Sequence, residues 1–230
     1  WVARTFGPIG VLHAGGHGAQ VVSFGAGSVF MAHVIKALEP IVGTVIGYFF
    51  LGATPSLLTN VSLVPIVAGV VYAASKPGGI DLGGLTSLPA MMAMVSTIAF
   101  AFAKVLAKRQ MTPKVKKARN LDAGNVYALL TLCSCACITL PAYILEGHKA
   151  YAALSQTDAA TVLSLVGRSG ALYYLSNEFS FRVLDLLGPV SQAVANAAKR
   201  VFVLAAATTF LGEEPSQRKI VGSCVALLGV

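Results

Sequence analysis

The chain has 230 residues, 56% of them hydrophobic and only 11% charged, with a net charge of +8 and a mean hydropathy of +0.74. A soluble domain usually carries about a quarter charged residues, so a water-soluble globule is excluded and an all-α integral membrane protein is expected. The positive surplus does not point to nucleic acid. Much of it (Lys108, Arg109, Lys114, Lys116, Lys117 and Arg119) sits in one stretch between two apolar runs, without interleaved aromatics. That is the pattern of a solvated, positive-inside loop.

A spanning helix needs about 20 residues. By that ruler eight apolar segments follow one another, at roughly 5–25, 28–52, 58–74, 86–107, 125–146, 160–182, 189–211 and 218–230. The first is rich in glycine, which in a membrane lets helices approach closely. It also carries His13 and His17 on one helical face, with Ala14 where a zinc-protease motif has glutamate. His17 is read as a cavity residue, His13 and His33 as structural.

The second segment holds Lys36, with Glu39 three residues on as its expected local ion-pair partner. Turn chemistry follows at Gly52-Ala-Thr-Pro55 and Lys76-Pro-Gly-Gly79. Pro65 and Pro141 are expected to kink the third and fifth segments. Cys133, Cys135 and Cys137, with Cys224 further on, are read as small core residues. Neither a metal nor a cofactor is expected, because no ligand set converges.

The sixth segment carries Ser176 and an i, i+4 pair, Glu178 and Arg182. Gly188-Pro189 is expected to turn the chain into the seventh, which is interrupted by Lys199-Arg200. After Gly212-Glu-Glu-Pro215 the last segment is too short to span. With Trp1 at the start, both ends read as truncated.

Lys36, Lys199 and Arg200 are the costly residues. A central Lys or Arg costs ~2.5–3.5 kcal/mol in hydrocarbon, so three would cost on the order of 8–10 kcal/mol if each faced lipid. Glu39 is the only acid close to either cluster in sequence. The cheaper arrangement points them into a watery cavity that holds an anion. Arginine can grip two phosphate oxygens at once, and lysine supplies compact charge.

A repeat emerges at an offset of 160. Phe50-Leu-Gly-Ala-Thr-Pro-Ser56 matches Phe210-Leu-Gly-Glu-Glu-Pro-Ser216, with Val61 over Val221 and Gly69 over Gly229. In the same register Lys36 stands over Asn196 and Glu39 over Lys199. Five segments separate the copies, an odd number, so the copies are expected in opposite orientations, as in carriers built from inverted repeats.

These residues carry a family resemblance. Gly16-His17, Val22-Ser23-Phe24, His33-Val-Ile-Lys-Ala-Leu-Glu-Pro40, Phe50-Leu-Gly52, Asn125-Val-Tyr127, Gly188-Pro-Val190 and Lys199-Arg-Val-Phe-Val203 resemble the plastid triose-phosphate/phosphate translocators of the drug/metabolite transporter superfamily. The resemblance covers essentially all of 1–230. It implies a partial sugar-phosphate transporter domain: ten helices in two inverted five-helix repeats, here about eight, from within the third to within the tenth.

It also implies exchange of inorganic phosphate for a three-carbon phosphate across the plastid inner envelope. Lys36, Lys199 and Arg200 would hold the phosphate, and His17 would line the cavity. Four positions depart. Gln20 stands where the family commonly has Thr or Ser, Ser176 where it has Tyr, Ala103 where it has Arg (with Lys104 adjacent), and Glu178 where many members carry Gln. Gln20 and Ser176 are therefore the positions expected to read the rest of the substrate.

The expected function is a secondary antiporter, not an enzyme, exchanging phosphate for triose phosphate, phosphoglycerate or phosphoenolpyruvate by alternating access. Its partners would be these solutes and the bilayer, with no nucleic acid, as a monomer or homodimer. The rivals are a carrier of another anion, such as a nucleotide-sugar in the Golgi or ER membrane, and a non-transporting sensor derived from a carrier.

Overall fold

The computed structural model describes the chain except residues 53, 55, 75–84, 157, 213 and 230; at 51, 58–60, 74, 153, 156, 187–198, 200 and 201 it describes the backbone alone. The expected turn at Lys76-Pro-Gly-Gly79 lies outside the described residues, and those at Gly52–Pro55 and Gly212–Pro215 lie partly outside. Among the described residues every regular element is helical: α1 Val2–Ala26, α2 Val29–Ile35, a 3₁₀ turn Lys36–Leu38, α3 Glu39–Leu51, α4 Leu57–Ala74, α5 Leu88–Gln110, α6 Pro113–Arg119, α7 Ala123–Gln156, α8 Ala159–Phe210 and α9 Gln217–Leu228. Three stretches among them are long and apolar enough to cross a membrane, Val29–Phe50, Leu88–Gln110 and Ala123–Ala152.

Local chemistry explains the boundaries. Ser28 caps α2 by accepting the Met31 N–H at 3.2 Å. The run 28–52 is then broken at its middle. Pro40 has no N–H, and in a continuous helix its ring would meet the carbonyl of residue 36. The chain tightens instead into Lys36–Leu38, where the Glu39 N–H donates to the Lys36 carbonyl, and α3 starts afresh with Pro40 in its first turn. Asp158 caps α8 through the N–H groups of Ala160 and Thr161.

Two expectations are corrected. The basic loop contains a short helix, α6, opened by Pro113 and closed by Asn120 at φ 49°, both ordinary boundary residues for a helix. The turn expected at Gly188-Pro189 takes another form: the backbone stays helical from Ala159 to Phe210 as the 52-residue α8, yet Lys199 Nζ lies 3.5 Å from Ser176 Oγ, residues that a straight helix would set ~35 Å apart, so the element doubles back between them. Alanine-rich sequence at 191–198 favours the helix, and a proline removes only one of its backbone hydrogen bonds. At 1.5 Å per residue α8 has ~78 Å of helical path, more than twice a ~30 Å hydrocarbon core.

Among the described residues, two larger clusters dominate the core. Phe6 and Ile9 of α1, Ala103 and Ala107 of α5, Val126, Tyr127 and Leu130 of α7, and Phe181 and Leu184 of α8 form one. Phe30 and Val34 of α2, Ile66 and Val70 of α4, Leu204 of α8 and Ala226 of α9 form the other. Large apolar side chains also cover the outside, among them Phe49, Leu57, Tyr143, Phe179 and Phe210. A surface of this kind suits lipid better than water. Cys133 is half-buried where α1 and α7 touch, but Cys135 and Cys224 are exposed on their helices, so the core reading fails for those two.

The repeat survives in three dimensions. Gly52 and Gly212, equivalent at the offset of 160, both adopt left-handed backbone (φ 63° and 64°) just after a helix end, the conformation that favours glycine. The next helices begin at equivalent residues, Leu57 and Gln217, and α4 packs on α9. A Cβ on Gly69 would collide with Gly222 and Ala226; one on Gly229 would stand 2.7 Å from Ser62 and Ile66. Shifted by 160, the pairs 69–222 and 69–226 become 229–62 and 229–66. The contact is therefore its own two-fold mate, as in an isologous interface. Rising numbers on α4 meet falling numbers on α9, so the pair is antiparallel. This antiparallel packing agrees with the opposite orientations expected for the two copies.

Candidate functional site

The break in the second segment presents Lys36 to the bundle interior. Its Nζ donates to Gln20 Oε1 of α1 at 2.5 Å and stands 4.9 Å from the centre of the Phe100 ring of α5, a cation–π geometry. His17 and His13 also pack edge-on against that ring, with centroids 4.9 and 5.4 Å away. Phe100 can sit there because residue 16 is glycine. A Cβ at Gly16 would come within 3.0–3.2 Å of three Phe100 ring atoms.

His17 Nε2 hydrogen-bonds the Tyr173 hydroxyl of α8 at 3.2 Å, with ring centroids 5.6 Å apart. One helical turn along α8, Ser176 donates to the Tyr173 carbonyl at 3.1 Å and accepts from Lys199 Nζ at 3.5 Å. Five of the six expected residues, His17, Gln20, Lys36, Ser176 and Lys199, thus fall on one connected chain of contacts across four elements. Arg200 follows Lys199 on the α8 backbone, and its side chain lies outside the described residues.

A second polar line runs beside the first. His13 stacks edge-on against His17 at 4.6 Å and hydrogen-bonds Ser134 of α7 at 3.0 Å. Glu39, at the start of α3, forms an ion pair with Lys104 of α5. The sequence reading assigned Glu39 to Lys36 and so missed this cross-helix partner. Three residues set a local prospect, but the bend of the 3₁₀ turn turns the carboxylate toward α5. The departure at Ala103 resolves in the same place. Ala103 is buried in the helix core, while Lys104, rotated by ~100° on the helix, faces Glu39.

Glu178 and Arg182 pair along α8 at 2.6 Å, as their spacing predicts. His33 stacks on Phe24 at 5.6 Å, in keeping with a structural role. Phe100 and Tyr173 are the members that sequence reasoning missed. Tyr173 lies three residues before Ser176 and so on its face, a signal that was available; Phe100 carries none beyond its place in an apolar run.

A wholly helical bundle, apolar outside, with cations, a histidine and an amide converging at a broken helix inside, defines an all-α integral membrane protein built around a polar interior. The chain belongs to the Triose-phosphate Transporter family, whose pattern it matches over residues 2–230. It is similar to the chloroplastic triose phosphate/phosphate translocators of Solanum tuberosum, 32% identical over 231 residues (97% of this chain, 52% of the relative), and of Zea mays, 32% identical over 231 residues (97% and 53%). It is also similar to the chloroplastic glucose-6-phosphate/phosphate translocator 2 of Arabidopsis thaliana, 29% identical over 231 residues (98% and 57%). The chain spans about half the length of the curated relatives it matches.

Proposed function

We propose that the protein is a secondary antiporter of a plastid envelope membrane that exchanges inorganic phosphate for a phosphorylated three-carbon metabolite by alternating access. The observation that carries this reading is the helix break at Lys36–Leu38, which brings a lysine within reach of Gln20, Phe100 and, through His17 and Tyr173, the Lys199 helix. Broken helices at the substrate site recur in secondary transporters. The relatives' names support phosphate as the shared solute, since the triose and the glucose 6-phosphate carriers both include it. Their chloroplastic names support the compartment.

The coupling follows from charge. Lys36, Lys199 and Arg200 disfavour closing an empty, low-dielectric cavity, and a bound dianion offsets them. Loaded carrier therefore crosses and empty carrier does not, which is exchange without ATP. Gln20 Oε1 and the Ser176 hydroxyl, which touch the Lys36 and Lys199 ammonium groups, are neutral and do not offset their charge.

The test is counterflow into liposomes preloaded with phosphate. Wild type should take up labelled phosphate and a three-carbon phosphate. Lys36→Ala, Lys199→Ala and Arg200→Ala should each abolish uptake while remaining folded and inserted. Wild-type rates in all three variants would overturn the assignment, and tight phosphate binding without counterflow would favour a sensor instead.

A further inference from the structure

The tyrosine that the resemblance leads one to expect at position 176 is a serine here, and the structure shows that serine occupied locally. Its hydroxyl donates to the carbonyl of Tyr173 at 3.1 Å, and Lys199 approaches at 3.5 Å. A serine side chain is too short to project further. One turn earlier on the same face stands Tyr173, whose phenol crosses to α1 and meets His17 Nε2 at 3.2 Å. Tyr173 is 45% exposed. It stands apart from Lys36, with His17 and the Phe100 ring between them, and one turn from Ser176, which touches Lys199. A solute with its phosphate on Lys36 and Lys199 would lay its other end along this line.

We infer that Tyr173 is the specificity-determining hydroxyl of the site, donating to a carbonyl or carboxylate oxygen at the organic end of the substrate, and that it does so in place of the residue lost at 176. The inference rests on the proposed exchange function and adds to it the group that tells an organic phosphate from phosphate itself. Its phenol pairs with the His17 ring. On binding the O–H donates to the solute oxygen while the phenol oxygen accepts from the His17 ring N–H, so neither group is left bare. Inorganic phosphate has no organic end and does not use it.

The experiment compares wild type, Tyr173→Phe and the double variant Tyr173→Phe/Ser176→Tyr in the full chain, reconstituted in liposomes. The measured quantities are KM for phosphate–phosphate homoexchange and for uptake of triose phosphate and phosphoglycerate. Tyr173→Phe keeps the ring against His17 and removes only the hydroxyl. Its KM for the organic phosphates should rise about 10- to 100-fold, the range for a hydrogen bond to a charged or strongly polar partner, and by a much larger factor than the homoexchange KM. The double variant, with its hydroxyl one turn away, should recover part of that loss. An equal rise for phosphate and organic phosphates would make Tyr173 a mere tie between α1 and α8, and no rise at all would remove it from the site; either result overturns the inference. Wild type that fails at phosphate homoexchange sinks the antiport reading and this inference with it, whereas wild-type exchange with an unaffected Tyr173→Phe sinks this inference alone.

Discussion

Gln20→Glu replaces the amide oxygen 2.5 Å from the Lys36 ammonium with a carboxylate of the same shape. Two unit charges at that distance attract by about 6–7 kcal/mol at an effective dielectric constant of ~20. Lys36 is partly exposed, so screening and the desolvation of the new carboxylate reduce this to roughly 2–3 kcal/mol. A phosphate ion must overcome that pairing to engage Lys36, so KM for phosphate should rise by about 30- to 150-fold. A second readout follows from the coupling argument. A fixed carboxylate offsets part of the cavity charge, so the empty carrier should close more readily. Phosphate efflux into buffer without counter-anion should then rise relative to exchange. Proteoliposomes loaded with labelled phosphate measure both, with and without external phosphate. A wild-type KM together with a wild-type efflux ratio would show that Lys36 neither binds the anion nor gates closure.

Two further outcomes test the frame. At the α4–α9 crossing a Cβ on Gly222 would stand 2.5 Å from the Gly69 carbonyl oxygen, whereas Gly43 on α3 has nothing within 4 Å; Gly222→Ala should lower thermal stability in detergent by about 1–3 kcal/mol through overpacking, and Gly43→Ala should raise it by about 0.8–1 kcal/mol through helix propensity. Shifts of the same sign would refute the close crossing. The 23 residues of α5 span ~34 Å, so single cysteines at Thr86 and Ala118 should react with an impermeant reagent from opposite sides of the membrane; labelling of both from one side would mean that α5 does not cross.

What was legible in the sequence was whatever rests on short-range rules. The costly cations picked out Lys36 and Lys199, and the i, i+4 relation put His13 and His17 on one face, where their rings meet at 4.6 Å. The break before Pro40 was missed: the sequence reading ran one segment over 28–52, although a proline there cannot continue the preceding helix. The repeat predicted that Gly69 and Gly229 are equivalent, and the two-fold contact bears that out. What escaped depended on helices meeting in space. Phe100 lies 64 residues beyond Lys36, and nothing local tells its face of α5 from the lipid-facing one. Lys104 reads as the edge of a positive loop until α3 brings Glu39 to it. The form of the α8 reversal was hidden for another reason. Gly-Pro signals a turn, but bare backbone groups are so costly in a membrane that helical hydrogen bonding persists while the chain doubles back between Ser176 and Lys199.

In the proposed exchange, the 3₁₀ turn that presents Lys36 would join binding and movement in one element. Lys36 in the turn and Glu39 just after it bridge to different helices, Lys36 to Gln20 on α1 and Glu39 to Lys104 on α5. The first tie is between a charge and a neutral amide, which a phosphate dianion displaces readily; the second is an ion pair between two fixed charges and is held more strongly. On that proposal an arriving anion would loosen the α1 side of the turn while leaving the α5 side in place. The turn can yield, because 3₁₀ hydrogen bonds have poorer geometry than α-helical ones and Pro40 contributes no donor. The α4–α9 pair, locked backbone to backbone at Gly69 and Gly222, offers no such freedom and supplies a fixed frame nearby. An anion that releases one of two ties on a soft joint, beside a frame that cannot shift, has a direction in which to move the helix.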